Sequence, residues 1–387
     1  MLKEITLFLI VYFQLSTAAF GQIDILTIGK YETIKSNILN EERLIYVSVP
    51  DNYNISSKSY PVIYLLDGDV HFDYVAGVVK FLSNHNRIPE TIVVGITNTN
   101  RLRDFSPVAS DNFPGSGGAD TFINFMEKEL FPFVEANYRI SPYRTIIGHS
   151  LCGMFSIYTL INKPEMFNSY IAISPYVVYG NNFIMDFAVD NLPNYASLNK
   201  YIYYTVGGLE PEYLVTSVGS LVEIFNEFAP DDLQHRYKLM EGDDHSSSVL
   251  LTVYDGLKFV FYDWRLPDSV FVSGLEPILN HYEKLSLKYG YDINVTEVQL
   301  NIAGYHFLQN ANNIDEALKI FRKNIELHPE SANVYDSYGE GLETAGYKNE
   351  AVENYKKAIK LAKKVNHPHL TIFEEHLERV RATINQN

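Results

Sequence analysis

The sequence predicts a two-part chain: an α/β domain with a mostly parallel sheet over residues 22–268, then an all-α helical repeat domain over residues 269–387. Three observations predict it. Short apolar runs alternate with helix-like stretches through the first part, the pattern of strands and helices sharing one sheet. One run, Tyr143-Arg-Thr-Ile-Ile-Gly-His-Ser-Leu-Cys-Gly-Met-Phe155, passes through Gly148-His149-Ser150 directly into a helical pattern. Beyond residue 268 the apolar positions take up helical spacing, and the sequence matches itself at a separation of 34 residues.

Length and composition bound the reading. A chain of 387 residues exceeds one average domain, and 46% hydrophobic content supplies a large core. The formal charge of -16 argues against nucleic acid as a partner, because phosphate backbones are held by basic patches and none is visible. It also disfavours an anionic membrane surface. The single cysteine, Cys152, excludes an internal disulfide and a cysteine-based zinc site. With 29 Tyr and 23 Phe, aromatic-lined pockets are favoured over a polar scaffold.

Residues 1–21 predict a secretory signal peptide: Lys3, the apolar run Ile5 to Phe13, then Ala18-Ala19-Phe20-Gly21, with cleavage just before Gln22. The run is too short to cross a bilayer comfortably and no cysteine follows it, so no stable membrane anchor is expected. Export without disulfides points to a bacterial periplasm.

Candidate strands are Arg43–Val49, Val62–Leu66, Thr91–Ile96, Thr145–Ile147, Ser169–Ile173, Tyr201–Val206 and His235–Met240, with helical patterns at Ala119–Tyr138 and Cys152–Asn162. The later strands are unbroken apolar runs, as in buried parallel sheets. Reactive groups in such sheets gather at the carboxyl ends of the strands. Ser150 stands at one of them. A strand that turns sharply into a helix lifts the serine clear of its own backbone, so Gly148-His149-Ser150 reads as a nucleophile elbow. The Leu151 amide is then aimed where an ester oxygen gains charge, and a second donor is expected from Gly68 or Asp69, in the loop after Val62–Leu66. His71 is expected in the pocket wall. Arg101, Arg103 and Asp104 read as a loop-bracing network, with binding of an acidic substrate group as the alternative.

If Ser150 is the nucleophile, an acid and a base must follow later strands. Glu210 is the expected acid, with Glu212 as the alternative, and His245 in Gly242-Asp-Asp-His-Ser-Ser-Ser248 is the expected base. His149 is a poor base because its side chain is expected to turn away, and His235 has a structural place at the start of a strand. Asp243, Asp244 and His245 do not read as a metal site, since three adjacent residues rarely converge on one ion. No metal or organic cofactor is required.

Residues 40 to about 265 resemble the esterase family of α/β-hydrolases that includes enterochelin-type siderophore esterases, esterase D-like enzymes and feruloyl esterases. The resemblance rests on Val62–Phe72, Val94-Gly-Ile-Thr97 with Arg103-Asp104, the helix Phe122–Tyr138, the elbow at 148–153, Ile171-Ala-Ile-Ser-Pro175, Gly242–Ser248 and Asp255-Gly-Leu257. It implies Ser150 as nucleophile, His245 as base and Glu210 as acid. One departure is Cys152, where that family usually has glycine.

In the helical part, Leu308 matches Leu342, Ala317 matches Ala351, Phe321 matches Tyr355 and Ile325 matches Ile359, a pattern similar to tetratricopeptide repeats. Two repeats are too few to stack alone, so flanking helices near Glu276–Lys288 and Leu370–Ile384 are expected to complete the array or dock it. Partner binding, self-association and shaping of the active-site rim all remain open for it. The expectation is an exported serine esterase acting on a small-molecule ester: a siderophore lactone, an aromatic-acid ester or a short acyl ester. The alternative is an inactive hydrolase-fold platform whose helical repeats bind a protein.

Overall fold

The computed structural model describes residues 27–385, and the signal-peptide reading falls outside them. Eight strands form one sheet: β1 (Lys30–Ser36), β2 (Glu41–Ser48), β3 (Tyr60–Leu65), β4 (Ile92–Ile96), β5 (Ile140–His149), β6 (Ser169–Ile173), β7 (Tyr201–Gly207) and β8 (Gln234–Met240). Their spatial order is β1-β2-β4-β3-β5-β6-β7-β8. The β1–β2 and β2–β4 pairs are antiparallel and every other pair is parallel.

All seven expected strands lie in this sheet. The strand missed is β1, and its composition explains the miss. It is an edge strand in which only Ile34 and Ser36 are buried, so it carries no apolar run. β5 begins five residues before its expected start, because Pro142 and Arg144 interrupt the apolar pattern while the backbone still pairs with β3.

Helices cover both faces. α1 (Gly68–Asn84) and α4 (Ser248–Val260) pack through Val75, Val79, Leu82, Val253 and Leu257 on one face. On the other lie α2 (Leu151–Asn162) and α3 (Glu212–Phe228), through Phe155, Leu160, Leu221 and Phe225. α2 is buried nearly all round, as its almost wholly apolar sequence requires. The Ala119–Tyr138 stretch is helical with a π turn at Met126–Leu130.

From residue 275 the chain is helical: α5 (Leu275–Tyr289), α6 (Glu297–Tyr305), α7 (Ile314–Leu327), α8 (Ala332–Thr344), α9 (Lys348–Val365) and α10 (Leu370–Asn385). Of the matched positions, Ala317, Phe321, Ala351 and Tyr355 are fully buried between these helices, Leu308 and Leu342 are buried, and Ile325 and Ile359 are half-buried. α5 joins them to the sheet. Tyr289 is buried with its ring 4.8 Å from that of Tyr143 and 5.6 Å from that of Phe261, and its hydroxyl donates to Asp263 at 2.9 Å. Tyr143 lies near the start of β5, whereas Ser150 follows its end, so this joint sits at the opposite end of the strands from the elbow. Among the described residues no helix is long and apolar enough to cross a membrane.

Candidate active site

Ser150 has φ 60° and ψ -118°, a conformation that costs a side-chain-bearing residue about 1–3 kcal/mol and persists only when its surroundings hold it. Here the Ser150 amide donates to Ile173 O at 2.8 Å, and the Ser150 carbonyl accepts from Met154 at 3.0 Å and Tyr176 at 3.0 Å. Gly148 is forced by the same turn: a Cβ there would lie 2.2 Å from Cys152 O. Cys152 itself is fully buried, with its side chain beside Asp67 and Arg101.

The acid and base come together across 35 residues. The loops that carry them are laced by Gly208 N–H to Met240 O at 2.8 Å and Leu209 N–H to Asp243 O at 3.0 Å. Glu210 Oε2 lies 2.7 Å from His245 Nδ1, while Oε1 accepts from Ser174 Oγ at 2.7 Å and from the Gly207 amide at 2.8 Å. Burial works against the Glu210 charge, but the His245, Ser174 and Gly207 hydrogen bonds outweigh it and hold the carboxyl below the usual range. Glu212 is exposed in the first turn of α3 and is not brought to His245.

His149 ties the base loop to the elbow: its Nε2 lies 2.8 Å from His245 O, and its ring centroid is 4.5 Å from that of His245. The His71 ring stands 5.4 Å from that of His149, and His71 Nδ1 is hydrogen-bonded to Tyr74. Burial, then the neighbouring His245 and His71, push the His149 pKa down to about 4. His71 therefore lies beside the elbow, buried against His149. Asp243 and Asp244 spend their carboxylates locally, on Ser247 Oγ and on the Ser246 and Ser247 amides. His235 packs against Tyr204 and Phe225.

The loop expected to supply the second oxyanion donor starts α1. Asp67 has φ 52°, and Gly68 sits so tightly over β4 that a Cβ would meet the Gly95 backbone at 2.6 Å. The Gly68 and Asp69 amides stand in the first turn of α1, as Leu151 does in α2, where helix geometry provides no acceptor. Arg101 binds Asp67 with both arms, Nε to Oδ1 at 2.7 Å and Nη2 to Oδ2 at 2.8 Å, and Asn98 Nδ2 adds a bond to Oδ1 at 2.7 Å. Arg103 and Asp104 join Glu41 and the fully buried Arg43 in a second network. This is the bracing expected of Arg101, Arg103 and Asp104.

Three residues escaped the sequence reading: Ser174, Asp67 and Asn98. Each stands at or just past the end of a strand, and Ser174, with φ 39°, is followed by Pro175, a turn signal that marks strand ends where functional side chains gather.

A sheet in this order, with a strained serine at the β5–α2 turn and a carboxylate-held histidine after β8, defines an α/β-hydrolase of the serine hydrolase class. The sequence profile of the family described as "Putative esterase" matches residues 36–246, more than half of the chain, and the chain belongs to that family. It is similar to the ferri-bacillibactin esterase BesA of Bacillus subtilis, 28% identical over 285 residues, which are 65% of this chain and 96% of that one. A siderophore enterobactin esterase of Emericella nidulans is 32% identical over 154 residues, 34% of this chain and half of that one. In fold alone, the chain is similar to the crystal structure of an uncharacterised protein from Capnocytophaga ochracea, with a TM-score of 0.69 at 18% identity, covering 91% of this chain and 99% of that one. Family and relatives together make this protein a serine carboxylic-ester hydrolase.

Proposed function

We propose that the protein is an exported esterase in which Ser150, His245 and Glu210 form the catalytic triad and that its substrate is a small siderophore ester. The observation that carries the triad is the Glu210 Oε2 to His245 Nδ1 contact of 2.7 Å, on a loop tied to the elbow through His149. With Nδ1–H donated to Glu210, the lone pair of Nε2 is free to take a proton. Ser150 Oγ attacks the ester carbonyl and His245 accepts its proton, while the amides of Leu151 and of Gly68 or Asp69 hold the oxyanion. Collapse expels the alcohol, which takes the proton from His245. Water then repeats the sequence on the acyl-enzyme. None of these steps calls on a metal or organic cofactor.

The siderophore class is supported by the relatives, among them a triacetylfusarinine C esterase and an apo-salmochelin esterase. Aromatic-acid and short acyl esters are the other members of the same small-ester reading. Export to a bacterial periplasm rests on residues 1–21. The helical region, read as tetratricopeptide-like, is assigned to protein contact or self-association, because its joint lies away from the elbow.

The test is hydrolysis of a p-nitrophenyl ester series and of a siderophore lactone by the mature protein beside Ser150→Ala. Turnover in the variant is expected to fall at least about 10³-fold with unchanged thermal stability. An alanine variant as active as the parent rules out this mechanism.

A further inference from the structure

The β3–β5 ladder closes with the Leu66 amide on Ile147 O at 2.9 Å. Beyond that bond β3 and β5 part: one chain leaves the sheet into Asp67-Gly68-Asp69, while the other stays paired with β6 through Gly148 and His149 before it turns into Ser150-Leu151, and both enter positive φ, 52° at Asp67 and 60° at Ser150. No β3–β5 ladder bond joins them from there on, and Arg101 bridges the two segments. Its Nε and Nη2 grip the two oxygens of Asp67, and the same Nη2 donates to His149 O at 3.1 Å, the carbonyl of the peptide that leads into Ser150. Asp67 caps α1 in sequence but makes no side-chain cap bond, because its carboxylate is given over to Arg101 and Asn98.

We infer that Arg101 is a positioning residue that sets the two halves of the oxyanion hole against each other, through Asp67 on the Gly68–Asp69 side and through the His149 carbonyl on the Leu151 side. This rests on the proposed use of those amides as oxyanion donors. Donors of this kind act only when held to within about 0.5 Å of the productive geometry, and a planar guanidinium with divergent N–H groups can hold two segments at a fixed separation. A lysine ammonium, a point charge on a flexible stem, cannot reproduce the fork. An arginine that instead bound an acidic substrate group would act on ground-state affinity. The two roles separate cleanly in kinetics.

The experiment compares the mature parent protein, Ser150→Ala, Arg101→Lys, Arg101→Ala and Asp67→Asn on a p-nitrophenyl ester, with inhibition by a trifluoromethyl ketone as a probe of oxyanion binding. Arg101→Lys and Arg101→Ala are expected to lower kcat on the order of 10–10²-fold, with KM within about threefold, and to weaken the ketone by a similar factor. Guanidinium ion should restore part of kcat to Arg101→Ala. Adding Asp67→Asn to Arg101→Ala should cost little more, since the two act as one unit. If Arg101→Ala does not fold, Arg101→Lys and Asp67→Asn carry the same kinetic test. A raised KM at unchanged kcat, or unchanged ketone affinity, overturns the inference. Absence of Ser150-dependent turnover in the parent overturns the triad reading beneath it.

Discussion

Glu210 reaches His245 with one oxygen only: Oε2 lies 2.7 Å from Nδ1, while Oε1 is already occupied by Ser174 and the Gly207 amide. The carboxylate is thus fixed by one hydroxyl and one backbone donor before it meets the imidazole. That arrangement determines what an amide in its place would do.

In Glu210→Gln the carbonyl oxygen must remain on Gly207 N–H, so the amide nitrogen faces His245 and donates to Nδ1. The imidazole is driven to the wrong tautomer, with its proton on Nε2. We expect kcat to fall on the order of 10⁴-fold at near-normal stability, while Glu212→Gln stays within about twofold of the parent. Steady-state kinetics of the two variants decide between the carboxylates, and a large loss in Glu212→Gln alone would reverse the assignment.

The pH dependence of stability follows from His149. Burial pushes its pKa down to about 4, against about 6.5 in an unfolded chain. Between those values the unfolded state binds the proton and the folded state does not, so the contribution is intact above pH 6.5 and is lost as pH falls toward 4, by about 3 kcal/mol in all. Urea unfolding at pH 7, 5.5 and 4.5 should show this decline. In His149→Gln the slope over that range should be visibly shallower; an identical slope would mean other groups carry it.

The Tyr289 joint can be loosened without touching the site. Removing a buried aromatic ring costs about 3–5 kcal/mol, so Tyr289→Ala should lower the unfolding midpoint markedly. Because Tyr143 and Phe261, its partners, lie at the far end of the strands from Ser150, kcat and KM of the folded variant at 20 °C should remain within about twofold. Loss of activity at full folding would show that the helical region communicates with the elbow.

What could be read from residues alone was what depends on short stretches. Runs rich in β-branched and aromatic residues, such as Ile92–Ile96 and Tyr201–Val206, mark buried strands because both faces must be apolar. The elbow is legible because a glycine, a serine and an immediate helix are a local steric requirement. The order of Ser150, Glu210 and His245 along the chain follows from where successive strands end. Edge strand β1 was illegible for the opposite reason: with most of its side chains in solvent, nothing constrains its composition.

Only the tertiary structure decided which carboxylate meets His245, that Ser174 and Gly207 hold it, and that Arg101 spans Asp67 and the His149 carbonyl. It also placed the α5 joint at the end of the sheet remote from Ser150. Apart from the Gly207 bond, three positions from Glu210, these contacts link residues 34 to 146 positions apart, and hydrogen bonds and ring packing of that span depend on strand order and loop closure. Sequence determined the parts and their chemistry, because periodicity and turn sterics act over a few residues; the sheet determined their meeting, because side-chain distances of 3 Å exist only after the chain has folded.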